Sequence, residues 1–139
     1  MDIGVLARTD GNEIKTISKK VIVVTRDLTL AAGTQAVTGV GFKPKAMVFF
    51  SLVSNATGQA SFGMSTIEGS GVQKAFSDRF RSVADTWATA AGLTINTLTG
   101  SGLNYNGSIT SYDSDGFTIT WTKFGASSGT LTMNVLCLK

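Results

Sequence analysis

Gly116-Phe-Thr-Ile-Thr-Trp-Thr-Lys-Phe-Gly-Ala-Ser-Ser-Gly-Thr-Leu-Thr-Met-Asn-Val-Leu-Cys-Leu138 decides the fold. Apolar and small polar residues alternate from Phe117 to Trp121 and again from Leu131 to Cys137. A period of two is the pleat of a β-strand with one dry and one wet face. Phe117, Ile119 and Trp121 form one dry row, and Leu131, Met133, Val135 and Cys137 form the other. The Gly/Ser-rich loop Phe124–Gly129 between them predicts that the two strands pair as a hairpin.

Outward from this segment, the same pattern recurs. Val21-Ile-Val-Val24 is a β-branched run inside a predicted strand, Lys20–Asp27, and Ala31-Ala-Gly33 is a turn. Strands are expected over Gln35–Phe42 and Lys45–Val53, with Pro44 in the loop between them because it has no N–H to give a ladder. Gln59–Ile67 alternates through Ala60, Phe62 and Met64. Gln73–Asp85 fits a strand, while the four-residue spacing of Phe76 and Phe80 would also suit a helix face. Thr86–Thr97 reads as one further strand, with Leu93 and Ile95 on one side. Thr99–Gly102 and Asn104–Gly107 read as loops, and Ser108–Tyr112 and Gly116–Lys123 as a hairpin about Asp113–Gly116. About eight short strands in a chain with a single proline predict an all-β fold, an antiparallel, jelly-roll-like β-sandwich. Residues 20–139 form its one domain, and residues 1–19 an N-terminal arm.

Composition agrees. The chain has 139 residues, 42% of them apolar but only 15% charged. Nineteen Thr, 14 Ser and 16 Gly supply polarity without charge. A free monomer usually carries a denser charge for solubility, so this inventory points to life inside an assembly. A net charge of +3 is too mild for nucleic-acid binding. Ala46–Val53 is the longest apolar-rich stretch and is far too short to span a membrane. Met1-Asp2 opens acidic with no apolar run behind it, so the chain reads as made and kept in the cytoplasm.

The chemistry is sparse. Histidine is absent, which removes the commonest general base and metal ligand. Glu13, Glu68, Asp78 and Asp85 lie in turns or polar stretches without the aromatic platform of a sugar cleft, against glycoside hydrolysis. Asp113-Ser-Asp-Gly116 resembles part of a calcium loop, but no closing Glu follows, and Asp-Gly between strands is a hairpin turn. Cys137, the one cysteine, falls on a dry row as a small core residue. No cofactor and no metal are expected. Trp121 belongs to the core, while Tyr105 and Tyr112, beside loops, are candidates for surface recognition.

Two segments carry a resemblance. Thr38-Gly-Val-Gly-Phe-Lys-Pro-Lys-Ala-Met-Val-Phe-Phe50 resembles a "GFxPKAVIF" segment of small structural proteins of tailed bacteriophages. Asp115-Gly-Phe-Thr-Ile-Thr-Trp121 with Val135-Leu-Cys-Leu138 is similar to the "DGFTLxW…YLAL" ending of the same group. The likeness runs from Thr38 to Leu138. Near its end this chain has Asn134 and Val135 where that pattern tends to have Tyr.

The resemblance implies a non-enzymatic virion β-sandwich. The form preferred within the group is a capsid decoration (cement) protein, a homotrimer on the outer capsid surface bound to the major capsid protein. The arm would make that contact, with Ile3, Val5 and Leu6 as apolar pegs and Lys15, Lys19 and Lys20 facing an acidic shell. The alternative is a tail-fibre or receptor-binding module in which Tyr105 and Tyr112 meet host glycans.

Overall fold

The computed structural model describes residues 17–54, 59–67, 73–79, 86–100 and 103–139, with the backbone alone at 76–79, 86–90 and 98–100. Among the described residues there are ten strands and no helix. They are β1 (Lys19–Asp27), β2 (Gly33–Val37), β3 (Ala46–Ser54), β4 (Gln59–Thr66), β5 (Gln73–Arg79), β6 (Thr86–Ala91), β7 (Ile95–Gly100), β8 (Leu103–Asp113), β9 (Gly116–Phe124) and β10 (Thr130–Leu138). A six-stranded sheet runs β1-β10-β3-β4-β5-β6 and a four-stranded sheet runs β2-β9-β8-β7. Every pairing is antiparallel. The all-β sandwich read from the sequence is the fold. The β1–β10 and β2–β9 pairs wrap around the inner strands as in a jelly roll, while β3–β6 and β7–β9 are meanders.

The expected hairpin at the C-terminus does not form. β9 pairs with β2 and β8, β10 pairs with β1 and β3, and the two lie in opposite sheets. The connection over residues 125–129 crosses between the sheets, with Gly125 and Gly129 at φ 72° and 101°. The Leu28 N–H donates to the Gly129 carbonyl at 2.9 Å and fixes this crossing. Alternation marks which side of a strand is dry and is silent about its neighbour. Here the two dry rows face each other across the core, and all seven of their side chains are at most 1% exposed.

Three boundaries also move. The stretch read as one strand over Thr86–Thr97 is two, β6 and β7, separated at Gly92 with φ 78°. Asn104–Gly107 is no loop but the start of the eleven-residue β8. β2 ends at Val37, short of the predicted Phe42. Gln73–Arg79 is a strand, as its alternation suggested. The arm as far as residue 16, the 80–85 end of the predicted Gln73–Asp85 strand and residues 101–102 of the predicted Thr99–Gly102 loop lie outside the described residues.

The interior has two unlike halves. Where β10, β1 and β3 face β9, it is apolar, and Phe49 meets Phe117 edge-on at 5.8 Å between centroids. Where β4 and β5 face β7 and β8, the inward residues that β4 and β5 supply are small or polar, Gln59, Ser61, Gly63, Ser65 and Ala75, and Thr94 and Asn96 are buried beside Ile95 on the other side. Here the layers touch backbone to backbone. A Cβ on Gly63 would stand 1.7 Å from the Thr94 carbonyl oxygen, so only glycine fits. The Asn96 N–H donates to Ser61 Oγ at 3.2 Å, a bond between the sheets.

Candidate assembly surface

The apolar residues missing from the thin half of the core are on the outside. Strand β4 turns Gln59, Ser61, Gly63 and Ser65 inward and Phe62 and Met64 outward. Its polarity is inverted relative to the sandwich it belongs to. Strand β3 is apolar on both sides, with Met47, Phe49 and Val53 inside and Val48, Phe50 and Leu52 outside. Strands apolar on both faces are normally buried on both faces.

The register gathers these side chains into rows. One row runs Val21, Leu136, Val48, Met64 and Lys74 from β1 to β5. The next runs Val23, Asn134, Phe50 and Phe62, with Phe76 opposite Phe62 in the backbone pairing. A third runs Thr25, Thr132, Leu52 and Ala60. Val21 and Val23 are 62% and 64% exposed, Phe50 and Leu52 49% and 52%, and Phe62 and Met64 45% and 44%. Single exposed apolar residues are ordinary, but a contiguous block of them marks an interaction surface. The sheet presents such a block.

Several polar side chains bond to the protein's own backbone and hold its elements in place. Gln73 extends β8 beyond the end of β7: its Oε1 accepts from the Ile109 N–H and from Thr94 Oγ1, both at 2.7 Å, and its Nε2 donates to the Ile109 carbonyl at 2.9 Å. One side-chain amide thus stands in for a strand partner. Asp115 Oδ2 and Oδ1 accept from the Gly39 and Gly41 N–H groups at 3.0 and 2.5 Å. These bonds hold its carboxyl below the usual range. Gly39 and Gly41 have φ 83° and 86°, a conformation that L side chains rarely adopt. A Cβ on the adjacent Gly116 would lie 1.9 Å from the Val37 carbonyl oxygen. The two segments that carry the phage resemblance therefore meet in one junction, whose contents are backbone geometry and packing. Asp115 is capped by amides, and Asp113 Oδ2 accepts from Thr118 Oγ1 at 3.0 Å, so the acidic turn is a hairpin turn. Among the described residues no group of three or more candidate metal ligands comes together.

Tyr105 requires a correction. It is fully buried, its ring tilted against Trp121 at 5.5 Å. Arg26 Nε donates to its hydroxyl at 3.0 Å, and the hydroxyl lies 3.3 Å from the carbonyls of Leu30 and Ala31. Arg26 also reaches the Ala31 carbonyl, and Lys123 the Thr29 carbonyl, each at 2.8 Å. The cluster pins the β1–β2 loop over the open end of the sandwich, and it leaves no ring face for a sugar. Asn-Tyr-Asn-Gly read as a loop because its composition is that of turns. Gly107 is there to admit Ile95 and Trp121 side-chain atoms 2.9 Å from its would-be Cβ. Tyr112 is half-buried, its hydroxyl bonded to Ser65 Oγ, and burial raises its pKa.

Lys19 and Lys20 are both exposed, but as neighbours on a strand they project to opposite sides of β1. Lys19 shares the outer face with Val21 and Val23. Ile3, Val5, Leu6 and Lys15 lie outside the described residues. Cys137 is buried, and burial pushes its thiol up to about 11, so it is not a nucleophile at neutral pH. The inverted strand β4 was legible in Ala60, Phe62 and Met64; the direction in which it faces was not.

No protein-family model matches the chain, and no curated protein matches it. Among solved structures, the crystal structure of the tailspike protein of the Acinetobacter phage vB_ApiP_P1 is similar at a TM-score of 0.38 and 10% identity. The alignment covers 99% of this chain and 25% of that one, so the chain spans about a quarter of the tailspike's length.

Proposed function

We propose that this protein is a non-enzymatic structural component of a bacteriophage virion, a capsid decoration protein that reinforces the shell. The observation that carries the assembly reading is the outer face of the six-stranded sheet. β4 shows its apolar side outward, and two-sided β3 lies beside it, an arrangement that gains stability only when another polypeptide covers it. The resemblance of Thr38–Phe50 and Asp115–Leu138 to phage structural proteins supplies the virion. In this reading the arm, through Ile3, Val5, Leu6 and Lys15 with Lys20, reaches the major capsid protein. Binding is its whole mechanism: apolar area leaves water and no bond is broken. A tail-fibre role rested on Tyr105 and Tyr112, and the first of these is spent on the core.

Purified virions test this. A decoration protein gives a stained-gel band of the same order as the major capsid protein, and full-length chain binds emptied heads while a chain lacking residues 1–16 does not. A faint band, with binding to host glycans, would instead establish the fibre role.

A further inference from the structure

We propose that a second copy of this chain covers the outer face of the six-stranded sheet, in a two-fold dimer whose β1 strands cross antiparallel. The inference rests on the reading that this face is covered in the assembly, and it names the first occupant.

Three observations select a like copy. The block is electrically empty at its centre: between Val21 and Leu52 the described outward residues are apolar apart from Asn134 and Thr residues. Two such faces can meet without bringing like charges together, whereas a charged partner would find nothing to pair with.

The charges on the face lie at its margins: Lys74 on β5 at the far side, and on β1 opposite signs at opposite ends of one strand. Lys19 and Asp27, the first and last residues of β1, share the outward side with Val21, Val23 and Thr25, and both are exposed. They stand about 27 Å apart along an extended strand. A two-fold axis in the plane of contact and perpendicular to the strands sets Lys19 of each copy over Asp27 of the other. The alternative axis, parallel to the strands, leaves both pairs unmade. The row of Val23, Asn134, Phe50 and Phe62 lies midway between those ends and becomes the centre of contact.

The size also fits. A sheet face five strands wide and three outward rows deep covers about 500 Å². Two copies together remove about 1,000 Å², the lower bound for a specific interface. Stacked sheets pack about 10 Å apart with strands near −30°, which interdigitating Phe and Met side chains fill. Such an interface is isologous and pairs copies in twos, a departure from the three-fold oligomer implied by the resemblance.

Sedimentation equilibrium of the full chain should show a reversible dimer. Phe50→Glu puts a charge at its centre and should raise the dissociation constant at least about 100-fold, with far-UV circular dichroism unchanged because Phe50 is already half exposed. Orientation is read by cross-linking. Copies carrying Lys19→Cys, mixed with copies carrying Asp27→Cys and treated with a bis-maleimide about 10 Å long, should give a cross-linked dimer, and neither variant alone should do so, because like residues then lie about 27 Å apart. A monomer at all concentrations, a trimer, or equal cross-linking by the single variants would overturn the pairing. A monomer that still binds emptied heads overturns the dimer and spares the proposed function. A dimer that ignores heads supports the pairing and removes the capsid role.

Discussion

The two halves of the six-stranded sheet use their apolar residues in opposite directions. At the β1-β10-β3 end, Met47, Phe49, Leu131, Met133 and Val135 face inward onto β9, and the interior is dry. At the β4 end the inward residues are Gln59, Ser61, Gly63 and Ser65, and Phe62 and Met64 face out. One half is stabilised by its own core. The other is held by backbone contact and hydrogen bonds, and its apolar surface is kept for another molecule. A sandwich can afford the second half because the first is complete.

Substitutions in the two halves should therefore fail for different reasons. Gly63→Ala has the largest effect: its Cβ meets a backbone carbonyl that cannot swing aside, so the layers must part. We expect a loss above about 4 kcal/mol, or no cooperative thermal transition. A normal transition would show that the thin half is not in backbone contact. Leu131→Ala, in the dry half, opens a cavity and should cost about 3 kcal/mol by urea denaturation. Gln73→Leu leaves the Ile109 N–H and carbonyl without their partner and should cost about 2 kcal/mol, although the new side chain is more apolar. Were it neutral, hydrogen bonding would not be what holds that half together.

The smallest effect concerns the junction of the two phage-like segments. The Asp115 carboxyl is held below its ordinary 3.8, chiefly by the Gly39 and Gly41 amides. A lowered carboxyl stabilises the fold above the unfolded value and loses that contribution as pH falls through the folded value. Asp115→Asn should thus be less stable than the parent at pH 6, with the gap closing below about pH 4. A gap that does not change with pH would mean that the cap works without its charge.

How far the sequence reveals this comparison depends on what each residue reports. Alternation in Phe117–Trp121 and Leu131–Cys137 gave the dry rows correctly, because a pleat leaves no other reading. It misled on their pairing, because burying each row against the other across a core produces the same pattern as burying both from a hairpin. Tyr105 was misplaced since Asn104, Asn106 and Gly107 have the composition of a turn, whereas Gly107 is small to admit Ile95 and Trp121, residues brought to it by the fold. Lys20–Asp27 was read almost to the residue from its β-branched run. The assembly surface was half visible: Phe50, Leu52, Phe62 and Met64 stand out in the chain, but the side they face is set by Gly63 against Thr94, which only the fold brings together.

Hydroxyl-radical oxidation of Met64 tests the central claim most directly, with buried Met47 and Met133 as internal controls. If the outer face is an assembly surface, Met64 in the associated wild-type chain should oxidise several-fold more slowly than in the Phe50→Glu variant, while Met47 and Met133 stay protected in both. Equal Met64 rates in the two would contradict the account.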